Sequence, residues 1–370
     1  MIRRFARRLG QVFAAVVALA ALLALYVEVD GIPRYMPESV EAHVEVTAAR
    51  VERGRKLATL LCVDCHADPQ TGRLTGKHLA DVPPEFGEIY SKNITAHPDK
   101  GVGRWTDGQL RYFLRTGVRP DGQYVPPYMI KLPHASDEDL DAIVAYLRSD
   151  DPAVVPADVD PPGVTRVTFL TKALTHTVFK PLPYPTAPKI APPESDRVAY
   201  GRYLVFTLDC FSCHSGDFTK TNLLEPEKSA GYMGGGNAMK RHDGSDIHAA
   251  NLTADDETGI GRWSEADFVR ALRQGFRTDG RVLSSPMLPK PELDEDEAAA
   301  IYAYLRTVPR IRNAVPRPTY EVAGADDGAR VYAKYGCAAC HGETGAGALA
   351  ELRRADERYP DDASLRRWID

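Results

Sequence analysis

Three copies of Cys-x-x-Cys-His use every cysteine in this chain: Cys62-Val63-Asp64-Cys65-His66, Cys210-Phe211-Ser212-Cys213-His214 and Cys337-Ala338-Ala339-Cys340-His341. The pattern is the attachment signature of c-type haem. Each cysteine pair can form two thioethers to one porphyrin, and the adjoining histidine is placed to become the proximal iron ligand. Three such motifs predict three covalently attached haem c groups, and a fold built around each macrocycle. Disulfides would not need a histidine after each pair. A structural zinc site wants four ligands around one ion, yet the pairs lie 148 and 127 residues apart. A thioredoxin-like site wants a βαβ context, and no such pattern is visible.

Arg3, Arg4, Arg7 and Arg8 precede Leu9 to Val27, a 19-residue run broken only by Gly10 and Gln11. As a helix this run spans roughly 28 Å, close to a bilayer core. The arginines should stay cytoplasmic. The alternative is a cleaved signal peptide, but Ala18-Leu19-Ala20 sits inside the run rather than after it. An uncleaved anchor is the favoured expectation. Either reading sends the rest of the chain to the periplasmic side of a bacterial inner membrane, where haem c is attached. The net charge of −5, without a basic patch bearing interleaved aromatics, argues against nucleic acid as a partner.

The chain repeats itself. Asn93-Ile94-Thr95 returns as Asn251-Leu252-Thr253, and Gly103-Arg104-Trp105 as Gly261-Arg262-Trp263. Arg115, Gly117 and Arg119 match Arg273, Gly275 and Arg277; Met129 matches Met287; Ala145-Tyr146-Leu147-Arg148 matches Ala303-Tyr304-Leu305-Arg306, all at an offset of 158. The first two haem motifs are offset by 148, so ten extra residues enter the second repeat. The Gly-rich stretch 231–244 is the expected place for them.

Each repeat reads as three helices on a loop-rich frame. They are predicted over 51–61, 107–115 and 137–148 in the first repeat, and over 197–208, 265–274 and 295–306 in the second. Thr106, Ser264, Ser136 and Asp294 are the expected N-caps. Leu140, Ile143, Val144 and Leu147 predict one buried helix face. Residues 150–196 hold ten prolines, which exclude a long helix and predict an extended strap, with 164–179 apolar enough to pack on a domain. The fold class expected is all-α: tandem class I cytochrome c domains, two full and one short, after an N-terminal transmembrane helix. The boundaries are 1–30 for the anchor, 45–150 for the first domain, 151–195 for a linker, 196–310 for the second domain, 311–325 for a second linker and 326–370 for the short third domain.

An electron-transfer haem usually takes two axial ligands, and Met/His ligation raises its potential. Met129 and Met287 sit in proline-flanked loops at matching places, so they are the expected distal ligands opposite His66 and His214. The other methionines have no matched place. Arg104 and Arg262 are candidates for pairing with haem propionates, and Trp105 and Trp263 for hydrogen-bonding them or packing on the macrocycle. His43, His78, His97, His134, His176, His242 and His248 are unmatched and read mostly as solvated surface groups. After His341 only 29 residues follow, with no methionine or histidine. The third iron's sixth ligand therefore comes from elsewhere in the chain, is weak or is absent, or the reading frame is truncated.

The constellation Asn-Ile/Leu-Thr, Gly-x-Gly-Arg-Trp, Arg-x-Gly-x-Arg-x-Asp-Gly and a proline-flanked Met, after Cys-x-x-Cys-His, resembles the multi-haem cytochrome c subunit of bacterial membrane-bound alcohol and gluconate dehydrogenases. The resemblance covers about residues 50–345. It implies three class I haem domains passing electrons from a separate dehydrogenase subunit towards ubiquinone or an oxidase, with Met129 and Met287 at the positions of that family's Met ligands. The third unit lacks a matching Met, and the anchor here is N-terminal. The expected function is a membrane-tethered periplasmic triheme electron carrier that transforms no substrate itself. Its expected partners are a dehydrogenase or quinol donor and an acceptor such as a terminal oxidase. The rivals are a haem enzyme acting on peroxide, nitrite or a sulfur compound at an open third iron, and a docking subunit active only within a dehydrogenase complex.

Overall fold

A computed structural model describes residues 2–80, 82–240, 246–279, 283 and 286–316. The motif Cys337, Cys340 and His341, the third domain and His242 lie outside these residues.

Helix α1 (Ile2–Asp30) is apolar along its middle and exposed there, and only its last turns, where Val27 is half-buried, meet the rest of the chain. The first lobe follows. Helix α2 (Ala48–Ala58) runs through one π-helical turn, Thr59–Val63, into α3 (Asp64–His66). After strand β1 (Gly87–Glu88) come α4 (Asp107–Thr116) and α5 (Asp137–Leu147). Strand β2 (Arg166–Val167) and helix α6 (Phe169–Thr177) lie in the connector. The second lobe repeats the order with α7 (Arg197–Thr207), α8 (Cys210–His214), a hairpin of β3 (Ala238–Lys240) and β4 (Asp246–His248), then α9 (Glu265–Gln274) and α10 (Glu295–Leu305). The molecule is mostly helical. It departs from an all-α reading by two antiparallel ribbons, β1 with β2 (Gly87 opposite Val167) and β3 with β4 (Met239 opposite Ile247).

The helices start where side-chain oxygens can take the free N–H groups of a first turn. Thr106, Ser136, Ser264 and Asp294 each cap as expected, and Thr106, Ser264 and Asp294 complete capping boxes. Helix α2 begins three residues earlier than 51 because Thr47 accepts from the Arg50 N–H. Helices α4 and α9 end on Gly117 and Gly275, both left-handed at φ 80 and 84°.

Within each lobe the entry helix packs on the last helix, α2 on α5 and α7 on α10. The crossings are close enough to require glycine. A Cβ on Gly54 would lie 1.9 Å from the Ala142 carbonyl oxygen, and one on Gly201 would lie 1.8 Å from that of Ala300. Leu140, Ile143, Val144 and Leu147 are buried, as their spacing predicts. Leu57, Leu74 and Leu132 join the first core; Leu204, Phe211, Met233 and Leu305 belong to the second.

Two expectations are corrected. The extra residues of the second repeat do not lie in 231–244. Leu74 and Met233 are equivalent: each carbonyl accepts from the N–H of the residue after the repeat's asparagine, Ile94 or Leu252, and each side chain is fully buried. Eight residues separate His66 from Leu74 and nineteen separate His214 from Met233. The insertion therefore precedes Met233, where 3-10 turns Phe218–Lys220 and Pro226–Lys228 fold it onto the lobe. Met233 is a core residue. The connector is likewise not wholly extended. It carries α6, and Thr168 and Thr171 hydroxyls tie it to the Glu85 and Phe86 carbonyls.

The lobes meet face to face through matching parts. Arg53 of α2 makes a bidentate pair with Asp139 of α5 (2.8 and 3.0 Å) and also reaches Glu297 of α10 in the other lobe at 3.1 Å. Lys56, two residues after Gly54, pairs with Glu297 and with the α10 cap Asp294 (3.2 Å). Tyr203, two residues after Gly201, makes the reciprocal contact: its hydroxyl donates to Asp139 (2.5 Å) and accepts from the Ser136 N–H at the α5 cap (2.9 Å). Asp139 and Glu297 stand third in their helices, so the contacts exchange under a two-fold rotation. His134 is part of this seam rather than solvated. Its Nε2 donates to the Leu223 carbonyl (2.8 Å) and its ring leans on Phe206.

Candidate haem-binding site

Both described motifs are helical, so the two cysteines of each lie about one turn apart with the histidine following. Burial pushes the Cys62 and Cys210 thiols up to about 12. A redox thiol needs thiolate character, so these are poor candidates for thioredoxin-like chemistry. Cys62, Cys65, Cys210 and Cys213 form no disulfide. Among the described residues no three His, Cys, Asp or Glu side chains cluster as a metal site would need.

The two histidines are held identically. His66 Nδ1 meets the Lys92 carbonyl at 2.7 Å, and His214 Nδ1 meets the Ala250 carbonyl at 2.9 Å. A carbonyl accepts only, so Nδ1 carries the proton and Nε2 keeps its lone pair for a metal. Burial lowers both imidazole pKa values, which favours the neutral ring that ligation requires. Lys92 and Ala250 each precede the repeated Asn-x-Thr, and the fold explains that repeat. The Asn93 side-chain oxygen accepts from the Thr95 N–H (2.9 Å) and hydroxyl (2.7 Å), and its amide reaches the Ala157 and Val159 carbonyls. Asn251 makes the same pair with Thr253 and reaches Ile311 and Thr258. Each turn fixes the backbone just after the carbonyl that orients the histidine. Sequence reading found the match but gave it no role.

Met129 and Met287 occupy loops pinned at the same two points. Val125 N–H bonds the Gly117 carbonyl and Leu132 N–H that of Leu114; Leu283 and Lys290 do the same with Gly275 and Leu272. Met129 packs on the same apolar cluster as Cys62, Val63 and Ala67. Lys131 donates to the Met129 and Pro126 carbonyls (2.7 and 2.8 Å). Burial lowers its pKa to about 7, partly offset by the charge of Asp209 in the other lobe.

Arg104 is exposed and paired with Asp99 at 2.7 Å. Trp105 packs edge-on against Phe113, beside Val102, Leu110 and Val144. Arg262 and Trp263 line a shallow cleft with Asp256 and Glu257. The sequence did not single out Arg119 for the site. Its guanidinium lies 5.9 Å from the Trp105 ring centre, and its Nε is buried without a hydrogen-bond partner. That nitrogen stands 3.7 Å from the Asp121 carboxylate, an ion pair too long to be a hydrogen bond.

The same loops reach across the seam. Lys290, three residues after Met287, bonds Asp64 inside the first haem motif at 3.1 Å. His134, five residues after Met129, lies 6.4 Å from Phe211 inside the second.

The cytochrome c family matches residues 51–150 and 325–370. The gluconate 2-dehydrogenase cytochrome c subunit of Pantoea cypripedii is 32% identical over 315 residues, covering 79% of this chain and 69% of that protein. The fructose dehydrogenase cytochrome subunit of Gluconobacter japonicus is 30% identical over 338 residues, 80% of this chain but 65% of its own length. A diheme c-type cytochrome of Cereibacter sphaeroides is 29% identical, with 68% of this chain and 82% of that one covered. The chain thus belongs to the cytochrome c family, and along most of its length it is similar to cytochrome subunits of bacterial dehydrogenases.

Proposed function

We propose that the chain is a membrane-tethered, periplasmic triheme electron carrier. It would pass electrons from a dehydrogenase or quinol donor to an acceptor such as a terminal oxidase. Haem c supplies reversible one-electron exchange at iron. The observation that carries the reading is the identical Nδ1 anchoring of His66 and His214, which leaves each Nε2 free to bind a metal. Cys62, Cys65, Cys210 and Cys213 would hold two macrocycles covalently, and Cys337, Cys340 and His341 a third. Met129 and Met287 would close the distal sides and exclude water. Arg119, which stands over the Trp105 ring, would be a propionate partner in the first lobe beside Arg104. The names of the relatives support a dehydrogenase subunit as the donor.

The test is a haem count by pyridine haemochrome, followed by carbon monoxide titration of the reduced holoprotein. Three haems per chain with no uptake fits the carrier reading. Uptake by one haem in three would move the function to an open third iron and an enzymatic role. Two haems per chain would remove the triheme assignment.

A further inference from the structure

The connector helix α6 has three distinct faces. Thr171 and Thr175 are buried against the first lobe. The adjacent flank meets the end of α1: Lys172 Nζ lies 2.5 Å from Glu28, and His176 Nε2 lies 3.1 Å from the Gly31 carbonyl and 3.4 Å from Asp30. The His176 ring also sits edge-on to Tyr26 at 5.4 Å, so this histidine too is structural rather than a solvated surface group. The remaining face is open and apolar. Phe169 (47% exposed) and Leu170 (44%) stand on it beside Ala173 and Thr177, and Val178 (65%) follows at the cap. Single exposed apolar residues are ordinary on a protein surface. Here two fall on one short helix, with Val178 at its C-cap and Val164 (72%) just before it.

Position says what covers this face. The apolar run of α1 ends at Val27 and the first charge is Glu28. If α1 crosses a membrane, Tyr26 and Glu28 mark the level of the lipid head groups. Helix α6 contacts α1 at that level. Residues 164–180 contain Arg166, Lys172 and Lys180 and no acidic residue; with Lys172 paired to Glu28, Arg166 and Lys180 carry the charge sign that anionic head groups attract. We propose that α6 lies in the head-group layer of the membrane, its Phe169–Leu170 face sunk towards the acyl chains, as a second membrane contact beside α1. An apolar helix face buried in that boundary is how monotopic helices bind. The inference rests on the reading of α1 as a membrane span.

The test uses the full-length holoprotein alone in nanodiscs of phosphatidylethanolamine and phosphatidylglycerol. All six native cysteines belong to haem motifs, so a new cysteine is the one reactive thiol. Leu170→Cys, Leu22→Cys in α1 and Ile190→Cys, which is 85% exposed on the connector, are each reacted with a membrane-impermeant maleimide and read by mass. Leu22→Cys and Leu170→Cys should both react about tenfold or more slowly than Ile190→Cys. If Leu22→Cys is protected while Leu170→Cys reacts as fast as Ile190→Cys, α6 is in water and the inference fails while the span survives. If all three react alike, the span fails with it. Protection of Leu170→Cys only in native membranes would assign the face to a protein partner and overturn the lipid assignment.

Discussion

Gly54 and Gly201 let two helix pairs touch backbone to backbone. A methyl group at either place would overlap a carbonyl oxygen that cannot turn aside. Alanine favours an isolated helix by about 1 kcal/mol over glycine. Overpacking costs about 3 kcal/mol and outweighs that gain here. Gly54→Ala and Gly201→Ala should each lower the denaturant midpoint of the holoprotein, while Gly10→Ala in α1, with open space around it, should not. His134 gives a pH test. Burial, helped by Lys189, Arg202 and Arg115, lowers its pKa despite the bond to Leu223. The unfolded chain then binds the proton more readily than the folded one. Its contribution is present above the ordinary imidazole value of about 6.5 and is lost as pH falls through the lowered folded value. His134→Gln keeps a donor and should flatten the stability profile in that window; an unchanged profile would remove His134 as its source. Neither role was legible in the sequence. The two glycines are separated by 147 residues, not 158, so the repeat register hides their equivalence, and His134 acts on the opposite lobe.

At the scale of elements the sequence was most readable where the physics is local. The capping residues Thr106, Ser136, Ser264 and Asp294 and the apolar face of α5 depend on neighbours within one turn. The Asn-x-Thr turn was visible as a repeat, but its purpose depends on His66 and His214, which lie 27 and 37 residues earlier. Asn251 is buried and satisfies several polar groups at once. Asn251→Ala should cost about 2 kcal/mol. It should also loosen the carbonyl of Ala250, so the second haem's potential should shift while the first haem's does not. Spectroelectrochemical titration separates the two, and a uniform shift would sink the local explanation. The insertion before Met233 was misplaced and the helix α6 missed for one reason. Proline and glycine mark where regular structure breaks, but they do not say which side of the break packs against the lobe.

Across the whole molecule, the seam between lobes is charged and largely dry. The Asp139 and Glu297 side chains are 8% and 5% exposed, and Arg53 serves both. Removing one partner from such a network costs about 3 kcal/mol, because the remaining charges stay buried. Arg53→Met should therefore open the lobes, seen as a larger radius in small-angle scattering and a lower unfolding midpoint. A compact, equally stable variant would mean that the apolar contacts suffice. The reciprocity of this seam also gives the chain an internal symmetry. An interface in which one patch meets its own copy is the isologous contact of a homodimer. Two repeats meeting that way within one polypeptide have the architecture of a fused dimer. Lys56 and Tyr203 hold matching places in the two halves, and one half grips its neighbour with a charge where the other uses a hydroxyl.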